Sequence, residues 1–238
     1  MTRRRWIADE VSGDLASLVG AHADHLARVL RARVGQDFDI ATGKGVRRGR
    51  ITSITNDRVE FELFEDVSGG SLVEITLVLA IFKFDRMEWA IEKCTELGVS
   101  RILPVIARRT DSHLGAASEK RAERWQRIAS QAAEQSRRAA PPEISAPIKL
   151  AEALNLPGVL RIVLAESEGQ TLLRNVVQAS AEEDGVTLAV GPEGGWTENE
   201  LQSFQQAGWI SASLGNTILR AETAAIAATA VISTLYAL

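Results

Sequence analysis

The 238-residue sequence predicts an α/β protein in which a small N-terminal β-barrel precedes a larger domain built on a parallel β-sheet. Up to residue 65, short apolar stretches are separated by glycines, which is typical of a compact β-rich unit. After residue 71, apolar strands alternate with helical patterns, which is typical of a parallel sheet with helices on both faces. The polar, glycine-rich stretch 66–71 lies between the two patterns. We therefore predict domains at residues 1–70 and 71–238.

The N-terminal unit is expected to contain one helix and several short strands. Residues 22–30 have apolar positions at helical spacing, whereas 38–40 and 51–64 are typical of strands. His22 and His25 are close enough in the sequence to place two metal ligands on one face of the helix. Because no third ligand is evident near them, we predict no metal site.

The larger domain is expected to begin with a strand at 75–81, whose continuous apolar run indicates burial on both faces. Asp85 and Glu88 have the spacing of a capping box and predict the start of the next helix, and Thr197 and Glu200 predict another start. Further strands are predicted at 101–106, 160–165, 186–190 and 209–214, and further helices at 118–138, 171–179, 197–207 and from 221 onwards.

The composition is ordinary for a soluble globular protein, with 45% apolar and 24% charged residues. Cys94 is the single cysteine, so the chain cannot form an internal disulfide or a cysteine metal cluster. No apolar run follows the basic N-terminus, and the apolar stretch 221–238 is shorter than the roughly 20 residues that a membrane span needs. We expect a cytoplasmic protein without a secretory signal and without a membrane span.

The net charge of −4 argues against a nucleic-acid binder, but the charges are unevenly distributed. Residues 1–50 and 101–149 each carry ten lysines and arginines against six and five acidic residues, respectively. Phosphate binding requires only a local basic surface. Charge alone leaves two interpretations open, an RNA-binding surface or two solvated faces.

Three unusual segments follow predicted strands, at 165–169, 191–196 and 213–223. The carboxyl ends of parallel strands meet at one edge of a sheet, where ligands bind in such folds. Glycines in these segments allow the backbone to approach a flat ligand closely. A single segment of this kind could be a tight turn, but three at one edge predict a ligand site.

Common nucleotide and hydrolase signatures are absent. No G-x-G-x-x-G follows the first strand of the larger domain, and residues 43–45 lack the spacing of a P-loop. There is no serine nucleophile elbow, and no histidine is close to the three segments in the sequence. These absences disfavour a dinucleotide fold, an ATP fold and an acyl-transfer enzyme.

Four motifs in a fixed order resemble the ribosomal RNA small subunit methyltransferase E family of the SPOUT superfamily, and the resemblance covers essentially the whole chain. They are residues 83–104, 133–138, 191–195 and 214–224. In the last motif the family commonly reads LGxRILRxETA. Arg220 and Glu222 match that pattern, whereas Thr217 replaces the first arginine, so a substrate-binding role of that arginine does not carry over.

The resemblance implies an N-terminal PUA-like barrel that binds RNA and a C-terminal SPOUT domain with a deep trefoil knot. It also implies a homodimer whose knot loops bind S-adenosylmethionine, and methylation of N3 of a uridine in small-subunit (16S) ribosomal RNA. The residues that we assign to the cofactor are Glu166, Gly191, Pro192, Glu193, Gly194, Gly195, Trp196, Leu214, Gly215, Ile218 and Leu219.

The reaction requires charge stabilisation, because uridine N3 carries a proton at neutral pH and is a poor nucleophile until that proton is lost. Arg220 is the candidate that stabilises negative charge on the uracil oxygens. Glu222 is a candidate proton acceptor, and it could instead pair with Arg220 or cap the last helix. The candidates for binding the RNA backbone are Arg3, Arg4, Arg5, Arg31, Arg137 and Arg138.

Two other functions fit the same sequence. A SPOUT methyltransferase that acts on transfer RNA would have a similar β-rich N-terminal unit. A non-catalytic ribosome-associated RNA-binding factor could retain the fold, but it would not need a cofactor site formed by three loops. The expected substrate is rRNA in an assembled small subunit or a late precursor, since a ribosomal surface could supply specificity that an acidic chain lacks.

Overall fold

The chain folds into two compact units in a computed structural model. The first unit comprises Met1–Gly70 and Ala133–Pro141, and the second comprises Ser71–Ala132 and Pro142–Leu238. The structure describes residues 5–43, 45–55, 57–67, 73–136, 138–158, 160–180 and 185–236.

The first unit is built on a six-stranded sheet. Its strands are β1 (Arg5–Ile7), β2 (Glu10–Ser12), β3 (Leu15–Val19), β4 (Asp37–Ala41), β5 (Val46–Ile54) and β6 (Arg58–Asp66). Their order is β1-β4-β5-β6-β3-β2, so β1 and β2 lie at opposite edges although two residues join them along the chain. Such a short link spans at most roughly 11 Å between its flanking Cα atoms. The sheet therefore curls until its edges approach each other, as the predicted barrel requires.

The curled sheet encloses a small apolar core. Gly49 lies at a β-bulge, and a Cβ at this position would lie 2.9 Å from Leu63 Cδ2 and 3.0 Å from Ile40 Cγ1. Any other residue would displace these core side chains. The largest fully buried side chains of this core are Leu18, Leu26, Ile40, Ile51 and Phe61.

One helical segment packs on this sheet. It consists of α1 (Gly20–Asp24) followed by a π-helical turn (His25–Val29). The helix that we predicted at 22–30 is confirmed in place. The spacing of apolar residues does not distinguish a π-helical turn from an α-helical one, so the sequence did not predict the π-helical hydrogen bonds of residues 25–29.

The second unit contains a seven-stranded sheet in which every pair of strands is parallel. Its strands are β7 (Glu74–Ala80), β8 (Arg101–Ile106), β9 (Glu143–Ile144), β10 (Ile148–Lys149), β11 (Leu160–Leu164), β12 (Gly185–Val190) and β13 (Ile210–Ala212). The order is β10-β8-β7-β12-β11-β13, and β9 also pairs with β8. The five strands that we predicted are confirmed, whereas β9 and β10 have only two residues each and were missed.

Helices cover this sheet and account for most of the remaining core. They are α2 (Phe84–Glu96), α3 (Ser112–Ala117), α4 (Ala122–Gln135), α5 (Leu150–Ala153), α6 (Leu173–Ala179), α7 (Glu198–Gln206) and α8 (Ala221–Tyr236). The predicted helix at 118–138 is shorter, since a 3₁₀ turn (Glu119–Arg121) precedes α4.

The two predicted capping boxes have different outcomes. At α7, Thr197 Oγ1 accepts a hydrogen bond from Glu200 N, and Glu200 Oε2 accepts one from Thr197 N at 2.8 Å, which confirms the prediction. At α2 the prediction is wrong, because the helix begins after Lys83 and has no side-chain cap. Glu88 instead accepts a hydrogen bond from Arg124 Nε at 2.6 Å.

The two faces of the sheet have different cores. On one face α2 and α8 pack together around residues that include Cys94, whose burial raises the pKa of its thiol to about 12. On the other face, Trp196, Phe204 and Trp209 form consecutive edge-to-face ring contacts at 5.0 Å. None of the described helices is long and apolar enough to cross a membrane.

Candidate active site

A cavity of about 460 Å³ lies at the carboxyl ends of β11, β12 and β13. Residues of three loops line it, at 164–169, 190–196 and 212–219. These are the three segments that the sequence predicted to meet, and β11 lies between β12 and β13 in the sheet. Every residue that we assigned to the cofactor is among the lining residues.

The first loop is stabilised by its own carboxylate. Glu168 Oε1 accepts hydrogen bonds from the backbone N–H groups of Gln170 and Thr171, both at 2.9 Å. The bond from Thr171 is the larger cause, and together these donors hold the pKa of Glu168 below its ordinary value. Glu166 is exposed at the edge of the cavity.

The second loop contains a tight turn. Gly195 N donates a hydrogen bond to Pro192 O at 2.8 Å, and Gly195 has a φ of +68°, which other residues rarely adopt. Gly191 packs against the indole of Trp196, since a Cβ at Gly191 would lie 3.2 Å from Trp196 Nε1. Trp196 is 7% exposed and therefore supports the loop from the core.

Two arginines bind the second loop from other parts of the second unit. Arg109 Nη1 donates to Gly194 O at 2.6 Å and to Trp196 O at 3.3 Å. Arg86 Nη1 donates to Glu193 Oε1 at 2.6 Å. The loop is thus fixed both through its backbone carbonyls and through a side chain.

Residues 214–219 of the third loop have no such support. No hydrogen bond joins residues 214–219 to any other residue in the described part of the chain. Gly215 has a φ of +128°, and Ile218 is 81% exposed. This loop leads directly into α8.

Arg220 and Glu222 follow the third loop and have opposite surroundings. Arg220 is exposed and forms no ion pair with a described residue. Glu222 is 3% exposed, and its Oε1 lies 3.7 Å from Arg86 Nε, whereas Oε2 has no hydrogen-bond partner among the described residues. Glu222 therefore pairs with Arg86, and the pairing with Arg220 that we considered is not formed.

The residues that we assigned to the RNA backbone are placed differently from one another. Arg5 lies half-buried in β1, and Arg31 is exposed with a φ of +53°. Arg138 is half-buried, and desolvation lowers the pKa of its guanidinium. Three further candidates lie outside the described residues, namely Arg3, Arg4 and Arg137.

Among the described residues, no group of histidine, cysteine and acidic side chains could bind a metal ion. His22 Nδ1 lies 2.9 Å from Asp9 Oδ1, and His22 Nε2 lies 3.7 Å from Glu134 Oε1. These contacts place His22 in a polar cluster with two carboxylates in the first unit.

Two family models match the chain. The one described as an RNA methyltransferase domain matches residues 70–233, and the one described as an RNA methyltransferase PUA domain matches residues 20–64. The ribosomal RNA small subunit methyltransferase E of Synechocystis is 35% identical over 92% of this chain and 73% of its own length. This protein belongs to the ribosomal RNA small subunit methyltransferase E family.

Solved structures of the family and its relatives agree with the fold. A methyltransferase E from Neisseria gonorrhoeae, bound to S-adenosylmethionine, is 32% identical and superimposes with a TM-score of 0.80 over 98% of each chain. A Legionella pneumophila protein in complex with the same cofactor is 28% identical, with a TM-score of 0.77 over 98% of each chain. These matches confirm the predicted two-part α/β fold with a PUA domain.

Sequence reasoning missed two residues of the candidate site in this family member. Arg86 lies inside the first family motif but was not assigned a role, and Arg109 lies outside all four motifs. Both contact the second loop across long stretches of sequence, so only the folded structure brings them to it.

Proposed function

We propose that this protein methylates N3 of a uridine in 16S ribosomal RNA, with S-adenosylmethionine as the methyl donor. The observation that carries the proposal is the cavity whose three lining loops include the glycine-rich loop and the segment before α8. The relatives are ribosomal RNA small subunit methyltransferases, and a solved relative binds S-adenosylmethionine. When bound, this cofactor supplies a methyl group attached to a positively charged sulfur.

The lining residues fit the cofactor in size and in chemistry. The volume of about 460 Å³ falls within the usual range for ligand sites, about 300–1,000 Å³. A Cβ on Gly195 would meet nothing within 4 Å, so its backbone borders open space that a flat ring can enter. Glu166 and Glu193 offer acceptors for hydroxyl or amino groups, and Arg109 offers donors for a carboxylate.

We assign Arg220 to charge stabilisation at the uracil. Its guanidinium is exposed and has no carboxylate partner among the described residues, so it is free to bind an incoming base. As the N3 proton is lost, negative charge spreads over the uracil oxygens, and a guanidinium donor stabilises that charge. N3 lies on the Watson–Crick edge, so the target base must be unpaired or drawn out of its stack.

Glu222 remains the candidate proton acceptor. Its unpartnered Oε2 favours this role, because a free carboxylate oxygen retains acceptor capacity. Its burial and its contact with Arg86 favour a role in fixing the start of α8. A Glu222→Gln protein would separate the two, since the amide keeps the shape but cannot take up the proton.

We assign RNA binding to the PUA domain within residues 1–70 and methyl transfer to residues 71–238. Arg31 is the best-placed of the proposed phosphate-binding arginines, because it is exposed. The proposed substrate is rRNA in an assembled small subunit or a late precursor. Methylation of free RNA by this acidic protein should be weaker and should fall as salt rises.

We further propose a cytoplasmic homodimer whose C-terminal part contains the trefoil knot. Trp89 is 50% exposed on α2, which packs against α8, and Ile218 is 81% exposed just before α8. Large exposed apolar side chains favour a protein interface. A stable monomer in light scattering at micromolar concentration would contradict the dimer.

The direct test is the rRNA of a strain that lacks this protein. Mass spectrometry of its 16S rRNA should show the loss of one 3-methyluridine, and the gene supplied on a plasmid should restore it. A loss confined to transfer RNA would favour the transfer-RNA enzyme. An unchanged set of modified nucleosides, together with no measurable affinity for S-adenosylmethionine, would favour a non-catalytic RNA-binding factor.

A further inference from the structure

Most arginines in the described part of the first unit are neutralised by carboxylates. Each of five forms an ion pair within this unit, and Arg50 is an example, with its Nε 2.8 Å from Asp37 Oδ1. Such pairs contribute little net positive potential to a passing polyanion. The five are Arg28, Arg47, Arg48, Arg50 and Arg58.

Arg31 and Arg33 differ from these five. Both are exposed, and neither side chain forms an ion pair or a hydrogen bond with a described residue. They lie two positions apart in one short turn, so their free charges reinforce each other at one place on the surface. Within the described part of residues 1–50, the free positive charge is therefore concentrated in this turn.

The backbone of this turn is held in an unfavourable conformation. Arg31 has a φ of +53° and is the only non-glycine residue in the described part of the chain with a positive φ. Nearby hydrogen bonds fix it, from Ala32 N to Leu26 O at 3.1 Å and from Arg33 N to Gln36 Oε1 at 3.0 Å. Strain of this kind persists where the surrounding structure imposes it, and it concentrates at functional sites.

Apolar side chains accompany the two free cations. Val29, at the end of the π-helical turn, is 63% exposed, and Val34 is 61% exposed. π-Helical turns often occur at functional sites. The surface formed by residues 29–34 thus combines free guanidinium groups, exposed apolar side chains and a fixed, strained backbone.

We propose that the 29–34 surface is where the first unit docks on ribosomal RNA. Arg31 and Arg33 bind backbone phosphates, and Val29 and Val34 pack against exposed riboses or bases. We assign RNA as the partner of this surface because its negatively charged backbone complements two unneutralised guanidinium groups. The proposal rests on the proposed function. It adds that the 29–34 surface contacts the RNA, that Arg33 binds phosphate, and that the five paired arginines do not.

The test compares arginines that differ only in their surroundings. Arg31→Gln, Arg33→Gln and Arg50→Gln each remove one positive charge from the same unit, so their effect on net charge is identical. Binding to a 16S rRNA fragment is measured over a series of salt concentrations. Each phosphate contact contributes about 0.7–0.9 to the slope of log K against log salt, so Arg31→Gln and Arg33→Gln should each lower that slope by nearly one. Arg50→Gln should leave the slope unchanged.

An Arg31→Gly protein separates charge from backbone strain. Glycine adopts a positive φ without cost, so the melting temperature should rise while RNA affinity falls. RNA affinity that is unchanged in Arg31→Gly, or equal slopes for all three glutamine variants, would overturn the docking surface. If the unmodified protein methylates no 16S rRNA and binds it without salt dependence, the proposed function itself is wrong.

Discussion

The loop at 191–196 and the loop at 214–219 line the same cavity, but the structure fixes only the first. The 191–196 loop contains an internal turn, contacts Arg109 through two carbonyls and Arg86 through Glu193, and packs on buried Trp196. The 214–219 loop has no hydrogen bond to another described residue and leads to the exposed Arg220.

This difference indicates a division of roles. A loop that is fixed before the ligand arrives loses little entropy on binding, which suits a cofactor that is used in every cycle. A loop with few contacts can adjust its conformation, which suits the admission of a base from a large RNA substrate. Arg86 connects the two regions, because it contacts both Glu193 and Glu222.

The largest effect is expected from Gly195→Val. The valine side chain would enter the open space beside Gly195 and would strain a backbone with a φ of +68°. We expect a loss of cofactor affinity of about 100-fold or more, measured by calorimetry, since the ligand loses both space and a preformed loop. Gly215→Val makes the same change in the loop without contacts, and it should lose less affinity because that loop can adjust its conformation. Equal losses for the two proteins, or unchanged affinity in a folded Gly195→Val protein, would contradict the comparison.

Arg220→Ala should separate binding from chemistry. Removal of one charge-stabilising donor typically slows a reaction by about 10²-fold or more, so kcat should fall by that order. Affinity for S-adenosylmethionine should stay within about twofold, because Arg220 does not line the cavity. Full activity in this variant would remove Arg220 from the mechanism and leave the cofactor site intact.

A smaller effect is expected from Arg109→Ala, which removes two contacts from the 191–196 loop. Hydrogen bonds to a charged donor contribute about 1.5–3 kcal/mol. Because Arg109 is exposed, we expect a loss at the low end of this range, which corresponds to an affinity for S-adenosylmethionine that is about tenfold lower. Arg108→Ala is the control, because Arg108 contacts Glu200 through its backbone N–H, which the substitution keeps. If both variants bind the cofactor like the unmodified protein, the loop does not depend on Arg109.

The smallest effect concerns Glu168 and pH. Its pKa is lowered in the folded state, so its contribution to stability is complete above its ordinary pKa of 4.5 and is lost as pH falls through the lowered value. We expect Glu168→Gln to lower the melting temperature slightly at neutral pH, and this difference should vanish on acidification. A difference that grows as pH falls would have the wrong sign for this assignment.

The sequence predicted best the features that depend on neighbouring residues. The capping box joins Thr197 and Glu200, which are three residues apart. The apolar run of β7 predicted a buried strand, because burial on both faces requires consecutive apolar residues. The contacts of Arg86 with Glu193 and of Arg109 with Gly194 join residues 107 and 85 positions apart, respectively. No local pattern encodes such pairs. The capping prediction at Asp85 failed because α2 begins two residues earlier, after Lys83, and Glu88 binds Arg124 of another helix.

Charge patterns illustrate the same limit in the first unit. Counting arginines in residues 1–50 suggests one basic surface, but ion pairs neutralise four of them, namely Arg28, Arg47, Arg48 and Arg50. Arg50, for example, pairs with Asp37 on the adjacent strand. Which arginines remain free depends on strand register, which the sequence alone did not determine. The positive φ of Arg31 is likewise imposed by the surrounding fold rather than by the residue itself.

The most direct test of the central claim is methyl transfer with purified components. The protein is incubated with S-adenosylmethionine carrying a labelled methyl group and with small ribosomal subunits from a strain that lacks it, and the rRNA is then digested to nucleosides. We predict label in 3-methyluridine from 16S rRNA, with much less on free RNA and about 10²-fold slower incorporation by Arg220→Ala. Label on a ribose, on a base other than uracil, or only on added transfer RNA would contradict the proposed reaction.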